Sequence, residues 1–157
     1  MRQSIYLDTS VVSAYYDDRI PYQRDITRQW WETVSGTYDV LISEVVLMEL
    51  GRAEEPKRSK FLALVKDLPQ LAGDDEITQT ARGYVQAGIV PERYLPDAFH
   101  IAYASCYRVD YLVTWNCSHL ANVKKRRAVA LYNTSAGLFV PEIVTPEFFR
   151  EEDDEQE

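Results

Sequence analysis

Cysteine and histidine are scarce in this chain, and each scarcity excludes something. Cys106 and Cys117 are the only cysteines. They make neither a disulfide framework nor a CxxC metal clip, which reads as two reduced thiols in a cytoplasmic protein. His100 and His119 are the only histidines, so a histidine-rich zinc site is excluded. No apolar run approaches the roughly 20 residues that span a bilayer, so no membrane association is expected. The first residues run directly into a strand-like segment ending at Asp8, unlike a signal peptide. No GxxxxGK[ST], GxGxxG or GxSxG occurs, which removes P-loop, dinucleotide-binding and nucleophile-elbow chemistry. Asp8-Thr9-Ser10 lacks the second acid two residues on that an aspartyl-phosphate phosphatase requires.

What is present is enough apolar residue to build one core: 46% of 157 residues are hydrophobic and 12% aromatic. That argues for a single domain over residues 1–150 followed by an acidic tail, 151–157. The tail holds six of the 25 acids, which leaves 19 acids against 17 bases in the body, a net of −2 rather than −8. Bases are dense at Lys124-Lys125-Arg126-Arg127 and between Arg52 and Lys60. The overall negative sign therefore does not exclude a nucleic-acid partner, because a local basic rim acts within a Debye length of about 8 Å.

Strand-like and helix-like segments alternate. Ser4–Leu7 reads as a buried strand, followed by a short helix from Val11 to Tyr16 behind a Thr9-Ser10 cap. A helix over Arg24–Val34 precedes a strand over Tyr38–Ile42. Ser43 caps a helix ending at Gly51, Pro56 opens another, and Pro69-Gln70-Leu71 reads as an edge strand. Helices over Asp74–Ala87 and Pro96–Tyr107 follow, then strands at Tyr111–Thr114, Ala128–Tyr132 and Ile143-Val144. This order predicts an α/β fold, a three-layer α/β/α sandwich with a mainly parallel central sheet. In such a sheet ligands bind at the carboxyl ends of the strands, near the switch point.

That rule selects Asp8, at the end of the first strand, and Asn116, just past Tyr111–Thr114. Glu49 sits among apolar Val46, Leu47 and Leu50 on a helix, where an ionised carboxylate must be paired or bind metal. Asp97 follows Pro96 at a helix start, where the helix dipole favours an acid. Asp8 and Asp97 also have plainer readings, as a helix cap and a first-turn charge.

The segments Tyr6-Leu7-Asp8-Thr9-Ser10, Ile42-Ser43 with Glu49-Leu50, Pro96-Asp97-Ala98-Phe99-His100-Ile101-Ala102 and Leu112-Val113-Thr114-Trp115-Asn116, in this order and spacing, resemble the PIN domain. The similarity covers about Ile5 to Val144 and leans toward the VapC-like toxin ribonucleases of toxin–antitoxin pairs. The resemblance implies hydrolysis of RNA phosphodiester bonds with Mg²⁺ or Mn²⁺, the ion held by Asp8, Glu49 and Asp97, with Asn116 as a fourth catalytic position. It also implies a cognate antitoxin and a homodimer. PIN nucleases often carry an acid where this chain has Asn116. The amide adds no charge and so favours one tightly held ion over two. It also opens an alternative: a catalytically weakened PIN-like domain that binds RNA or protein.

Ser10 and Thr114 are expected to hydrogen-bond a carboxylate or a metal-bound water. His100 reads either as a core histidine or as a group reaching the crevice, and His119 as a phosphate-orienting group or a loop cap. Lys124, Lys125, Arg126 and Arg127 read either as a solvated basic face or as a rim for RNA phosphates. Trp30, Trp31, Phe61 and Tyr84 lie on helices that need not share one core, which gives a reason to expect self-association.

Overall fold

The computed structural model describes residues 2–34 and 36–150; the acidic tail lies outside them. Strands β1 (Ser4–Leu7), β2 (Asp39–Ser43), β3 (Gln70–Leu71), β4 (Tyr111–Val113) and β5 (Glu142–Val144) form one sheet in the order β3-β2-β1-β4-β5. Every pairing is parallel. Parallel neighbours require crossovers, and helices supply them: α1 (Thr9–Tyr15), α2 (Pro21–Val34), α3 (Glu44–Leu50), α4 (Lys57–Val65), α5 (Asp75–Gln86), α6 (Leu95–Cys106) and α7 (Val123–Ala136). The α/β/α expectation holds.

β1 is the central strand, and Ile5, Tyr6 and Leu7 are wholly buried. A strand covered on both faces must be apolar throughout instead of alternating. Ser4 and Asp110 lock the amino ends of β1 and β4 together: Asp110 Oδ2 accepts from the Ser4 amide at 2.8 Å and its hydroxyl at 3.2 Å. The direction of strand progression reverses between β1 and β4, so a crevice opens beyond their carboxyl ends.

One sequence expectation fails. Ala128–Tyr132 is not a strand but the middle of helix α7. The Asn122 side chain caps its start by accepting from Lys125 N, and Gly137, at φ 72°, closes it in the left-handed conformation that glycine adopts without penalty. Val129 and Asn133, one helical turn apart, face inward, while Leu131 is 73% exposed. Buried Asn133 is satisfied by the Tyr84 hydroxyl at 2.7 Å, the Ser105 hydroxyl at 2.9 Å and the Phe139 carbonyl at 2.8 Å, which ties α5, α6 and α7 together.

The aromatic argument for self-association also fails. Trp30, Phe61 and Tyr84 are buried within one chain, and Trp31 packs against the same core. Among the described residues no helix is long and apolar enough to cross a membrane.

Candidate active site

Asp8 directly follows β1, and its amide donates to the Val113 carbonyl at 3.1 Å, which extends the sheet by one residue. It occupies the N-cap position of α1, yet its side chain makes no capping bond. The carboxylate points elsewhere: Oδ2 accepts from Thr114 Oγ1 at 2.6 Å and from Ser10 Oγ at 2.7 Å. Asp8 is only 4% exposed, so these hydroxyls supply the partners that a buried acid needs.

Glu49 reaches the same place from the last turn of α3. Its Oε1 accepts from Thr9 Oγ1 at 2.9 Å and lies 2.7 Å from His100 Nε2. His100 Nε2 is also 3.3 Å from Asp8 Oδ1. His100 is wholly buried on α6, one turn beyond Asp97. It is at once a core histidine and a group that faces the crevice. Its Nδ1 lies 2.7 Å from the Tyr6 hydroxyl, which is itself 2.7 Å from Ser43 Oγ.

Charge explains this arrangement. Burial disfavours the imidazolium, but the Glu49 hydrogen bond and the charges of Asp8, Glu49 and Asp97 outweigh it and raise the His100 pKa above its ordinary value. Burial likewise opposes ionisation of Glu49, yet His100 and the Thr9 hydroxyl bring its pKa below the usual range. With both ring nitrogens protonated, Nε2 donates to Glu49 and Nδ1 to the Tyr6 oxygen, whose own proton goes to Ser43. Asp97 behaves oppositely. Burial, then the negative charges of Asp8 and Glu49, push its carboxyl up to about 6. Asp8 and Glu49 both lie against the imidazole, and Asp97 is near enough for their charges to act on it.

Asn116 makes no hydrogen bond to Asp8, Glu49 or His100 among the described residues. Its Oδ1 accepts from the His119 amide at 3.0 Å, and its own amide donates to Thr114 Oγ1 at 2.9 Å. Its backbone carbonyl accepts from Leu120 and Ala121. Asn116 organises the loop after β4 and reaches Asp8 through Thr114. The His119 ring packs on Tyr94, with centroids 4.2 Å apart.

The loop from Trp115 to Asn122 delivers α7 to the same end of the sheet. Lys124 to Arg127 occupy the first turns of α7, where the positive helix end disfavours cations, so they do not serve helix stability. Lys125 Nζ donates to the Ile89 carbonyl, and Arg126 Nε to the Ile143 carbonyl at 2.7 Å. Lys124 and Arg127 are exposed and, among the described residues, make no ion pair. Lys125 also lies near enough for the Asp97 carboxylate to act on its ionisation.

Asp8, Glu49 and His100 offer ligand atoms that all lie within 4.8 Å of one another. Acids collected at the carboxyl end of a parallel sheet and at its switch point agree with the family comparison: residues 5–116 match the PIN domain. The chain belongs to the PIN domain family. No curated protein sequence matches it. Two of the solved structures that share the fold are from toxin–antitoxin pairs or their toxins. One is VapBC2 from Rickettsia felis bound to a DNA fragment from its promoter, 16% identical with a TM-score of 0.58 over 91% of this chain and 97% of that one. The other is the sarcin–ricin loop cleaving toxin VapC20 of Mycobacterium tuberculosis, 15% identical with a TM-score of 0.54 over 74% of this chain and 92% of that one.

Two participants in this PIN domain site go beyond what the sequence marks. Thr9, by sequence a helix cap, holds Glu49, and Tyr6, by sequence strand core, anchors His100. A hydroxyl beside a candidate acid is the only local signal for the first. Nothing local marks the second.

Proposed function

We propose that this PIN domain is a divalent-metal-dependent endoribonuclease, the toxin of a toxin–antitoxin pair. The observation that carries the reading is the contact of Asp8, Glu49 and His100 at the carboxyl end of the sheet, with Asp97 near enough for the charges of Asp8 and Glu49 to act on it. The donor set suits a hard cation. Each of Asp8 and Glu49 has one oxygen held by hydroxyls, and among the described residues Asp8 Oδ1 and Glu49 Oε2 accept from no hydroxyl. Burial, and then the charges of Asp8 and Glu49, raise the Asp97 carboxyl to about 6, so a cation among these acids would favour its ionised form. Mg²⁺ or Mn²⁺ prefers such carboxylate oxygens and would be held by Asp8, Glu49 and Asp97. When bound, the ion activates water and offsets charge on the attacking and leaving oxygens.

The chain's own residues do the rest. Ser10 and Thr114 fix the Asp8 carboxylate in one orientation, and Thr9 and His100 fix Glu49. Tyr6 and Ser43 hold the imidazole that neutralises part of the acidic charge. In the overall reaction water adds to phosphorus, one P–O ester bond breaks, and the departing oxygen takes a proton. Lys124 and Arg127 attract the RNA backbone. Asn116 serves the loop rather than supplying a fourth charge, which favours a single tightly held ion.

The fold shared with VapBC2 and VapC20 supports an antitoxin partner and a structured RNA substrate. A homodimer and cytoplasmic action complete the reading. Light scattering giving twice 18.2 kDa supports the dimer, and a constant monomer mass opposes it.

The neutral Asn116 favours the second reading, a binding module that kept the fold without turnover. Incubation with ribosomal RNA separates the two. Cleavage abolished by EDTA, restored by Mg²⁺ or Mn²⁺ and absent in Asp8→Asn is expected. RNA binding without cleavage under any metal would establish the second reading.

A further inference from the structure

The loop after β4 and the segment leading into α6 meet in a small aromatic stack at the crevice rim. The His119 and Tyr94 rings are 4.2 Å apart and tilted by 38°. The Arg93 guanidinium carbon lies 5.0 Å from the Tyr94 ring centre. Tyr94 is half-buried and packs partly on the core, and its amide donates to the Pro91 carbonyl at 2.9 Å, so the ring has a fixed seat. The Asn116 side chain fixes the His119 backbone. Tyr94 stands three positions before Asp97, at the N-cap of α6, and His119 stands three positions after Asn116, whose amide donates to the Thr114 hydroxyl that holds Asp8.

Packing alone does not account for these side chains. Among the described residues the Tyr94 hydroxyl and both His119 ring nitrogens make no hydrogen bond, and both residues are only partly buried. Arg93 is exposed and makes no ion pair among the described residues. Rings seated at a surface, whose polar edges make no hydrogen bond among the described residues, with a guanidinium on the Tyr94 ring that makes no ion pair among them, suit a flat aromatic ligand attached to a phosphate.

We propose that Tyr94 and His119 form a stacking subsite for an unpaired nucleobase of the RNA next to the scissile phosphate. The inference rests on the ribonuclease reading and deepens it. The subsite takes one base by its π-face, and Arg93 meets a neighbouring phosphate. The acids and basic helix start recognise the backbone, which every RNA shares. The stack selects a place where a base is splayed out of its helix.

The test uses the full chain carrying Asp8→Asn to stop cleavage, with EDTA present. The probes are a fluorescein-labelled single-stranded RNA and an abasic strand of the same length, followed by fluorescence anisotropy. Tyr94→Leu and His119→Leu are each expected to weaken RNA binding about tenfold, the ordinary effect of removing one base–aromatic stack. Tyr94→Phe keeps the ring and is expected to stay within about threefold of the parent. The abasic strand is expected to bind all four proteins alike. Unchanged RNA binding by Tyr94→Leu and His119→Leu would overturn the proposal, and so would an equal weakening toward the abasic strand. If the unaltered chain binds RNA and the stack variants weaken it, but no metal supports cleavage, the nuclease reading fails and the subsite stands. If the unaltered chain cleaves RNA while the stack variants bind it undiminished, the nuclease reading stands and the subsite fails. Absence of any RNA binding defeats both.

Discussion

His100 joins two acids of the crevice, with Nε2 2.7 Å from Glu49 Oε1 and 3.3 Å from Asp8 Oδ1. Once protonated, the wholly buried imidazole offsets the charges of Glu49 on α3 and Asp8 at the end of β1. Removing it leaves Asp8 and Glu49 facing each other and the Tyr6 hydroxyl with one partner fewer. His100→Leu is expected to cost about 2 kcal/mol in EDTA, less than a fully buried pair because Glu49 is partly exposed. Added Mg²⁺ is expected to narrow the difference. Urea unfolding of both proteins, with and without Mg²⁺, measures it, and equal midpoints in EDTA would contradict the role.

Asp8→Asn is expected to abolish cleavage while leaving the fold intact or stabilised by about 1 kcal/mol, because it relieves repulsion among acids without changing shape. The Asp8 side chain makes no helix-capping bond, so the change removes no cap. Wild-type ribonuclease activity in the mutant would remove Asp8 from the mechanism.

The stability of the metal-free protein is expected to fall as pH rises from about 5 to 8. Asp97 titrates at about 6 in the fold against 3.8 in the unfolded chain. Between those values the native state binds the extra proton, and stability declines as pH climbs. His100, raised above its ordinary value, stabilises fully below the unfolded pKa of 6.5, and that contribution disappears as pH passes its folded value. Glu49 is shifted down, so its contribution is present above 4.5 and is lost only as pH falls through its folded value. Thermal melts across this range in EDTA check the sign. Asp97→Asn is expected to flatten the decline, each kcal/mol recovered raising the midpoint by roughly 2–4 °C.

Lys124→Glu combined with Arg127→Glu is expected to weaken RNA binding and to lower the slope of log affinity against log salt, by roughly 0.7 for each phosphate of a single strand that is no longer neutralised. Filter binding at several salt concentrations shows it. Lys125 and Arg126 are poorer choices, since both hold backbone carbonyls. An unchanged slope would make the α7 bases a solvated face only.

Asn116→Asp keeps an acceptor for the His119 amide and adds a negative charge to a residue whose backbone amide donates to the Thr114 hydroxyl that holds Asp8. Mn²⁺ or Mg²⁺ binding is expected to tighten, by about threefold to tenfold for one added charge in a partly exposed site. Calorimetric titration decides it, and no gain would mean that Asn116 does not face the ion.

Much of this protein was determined by the sequence alone. An all-apolar Ile5-Tyr6-Leu7 ending in an acid is satisfied by a doubly covered central strand with Asp8 at its mouth, because apolar burial and strand geometry are local demands. The same logic located Glu49 among apolar neighbours and Asp97 at a helix start. Ala128–Tyr132 is ambiguous by sequence, because five apolar residues fit a buried strand or part of a helix equally well. The choice comes from Asn122 and Gly137 at the helix ends and from Asn133, whose partners Tyr84 and Ser105 lie far away in sequence. Tertiary structure likewise decided that His100 is both buried and in the crevice, that Tyr6 anchors it, and that Tyr94 meets His119. Each of these is a meeting of side chains from separate elements, and no local pattern encodes a distance between residues that only the folded sheet brings together.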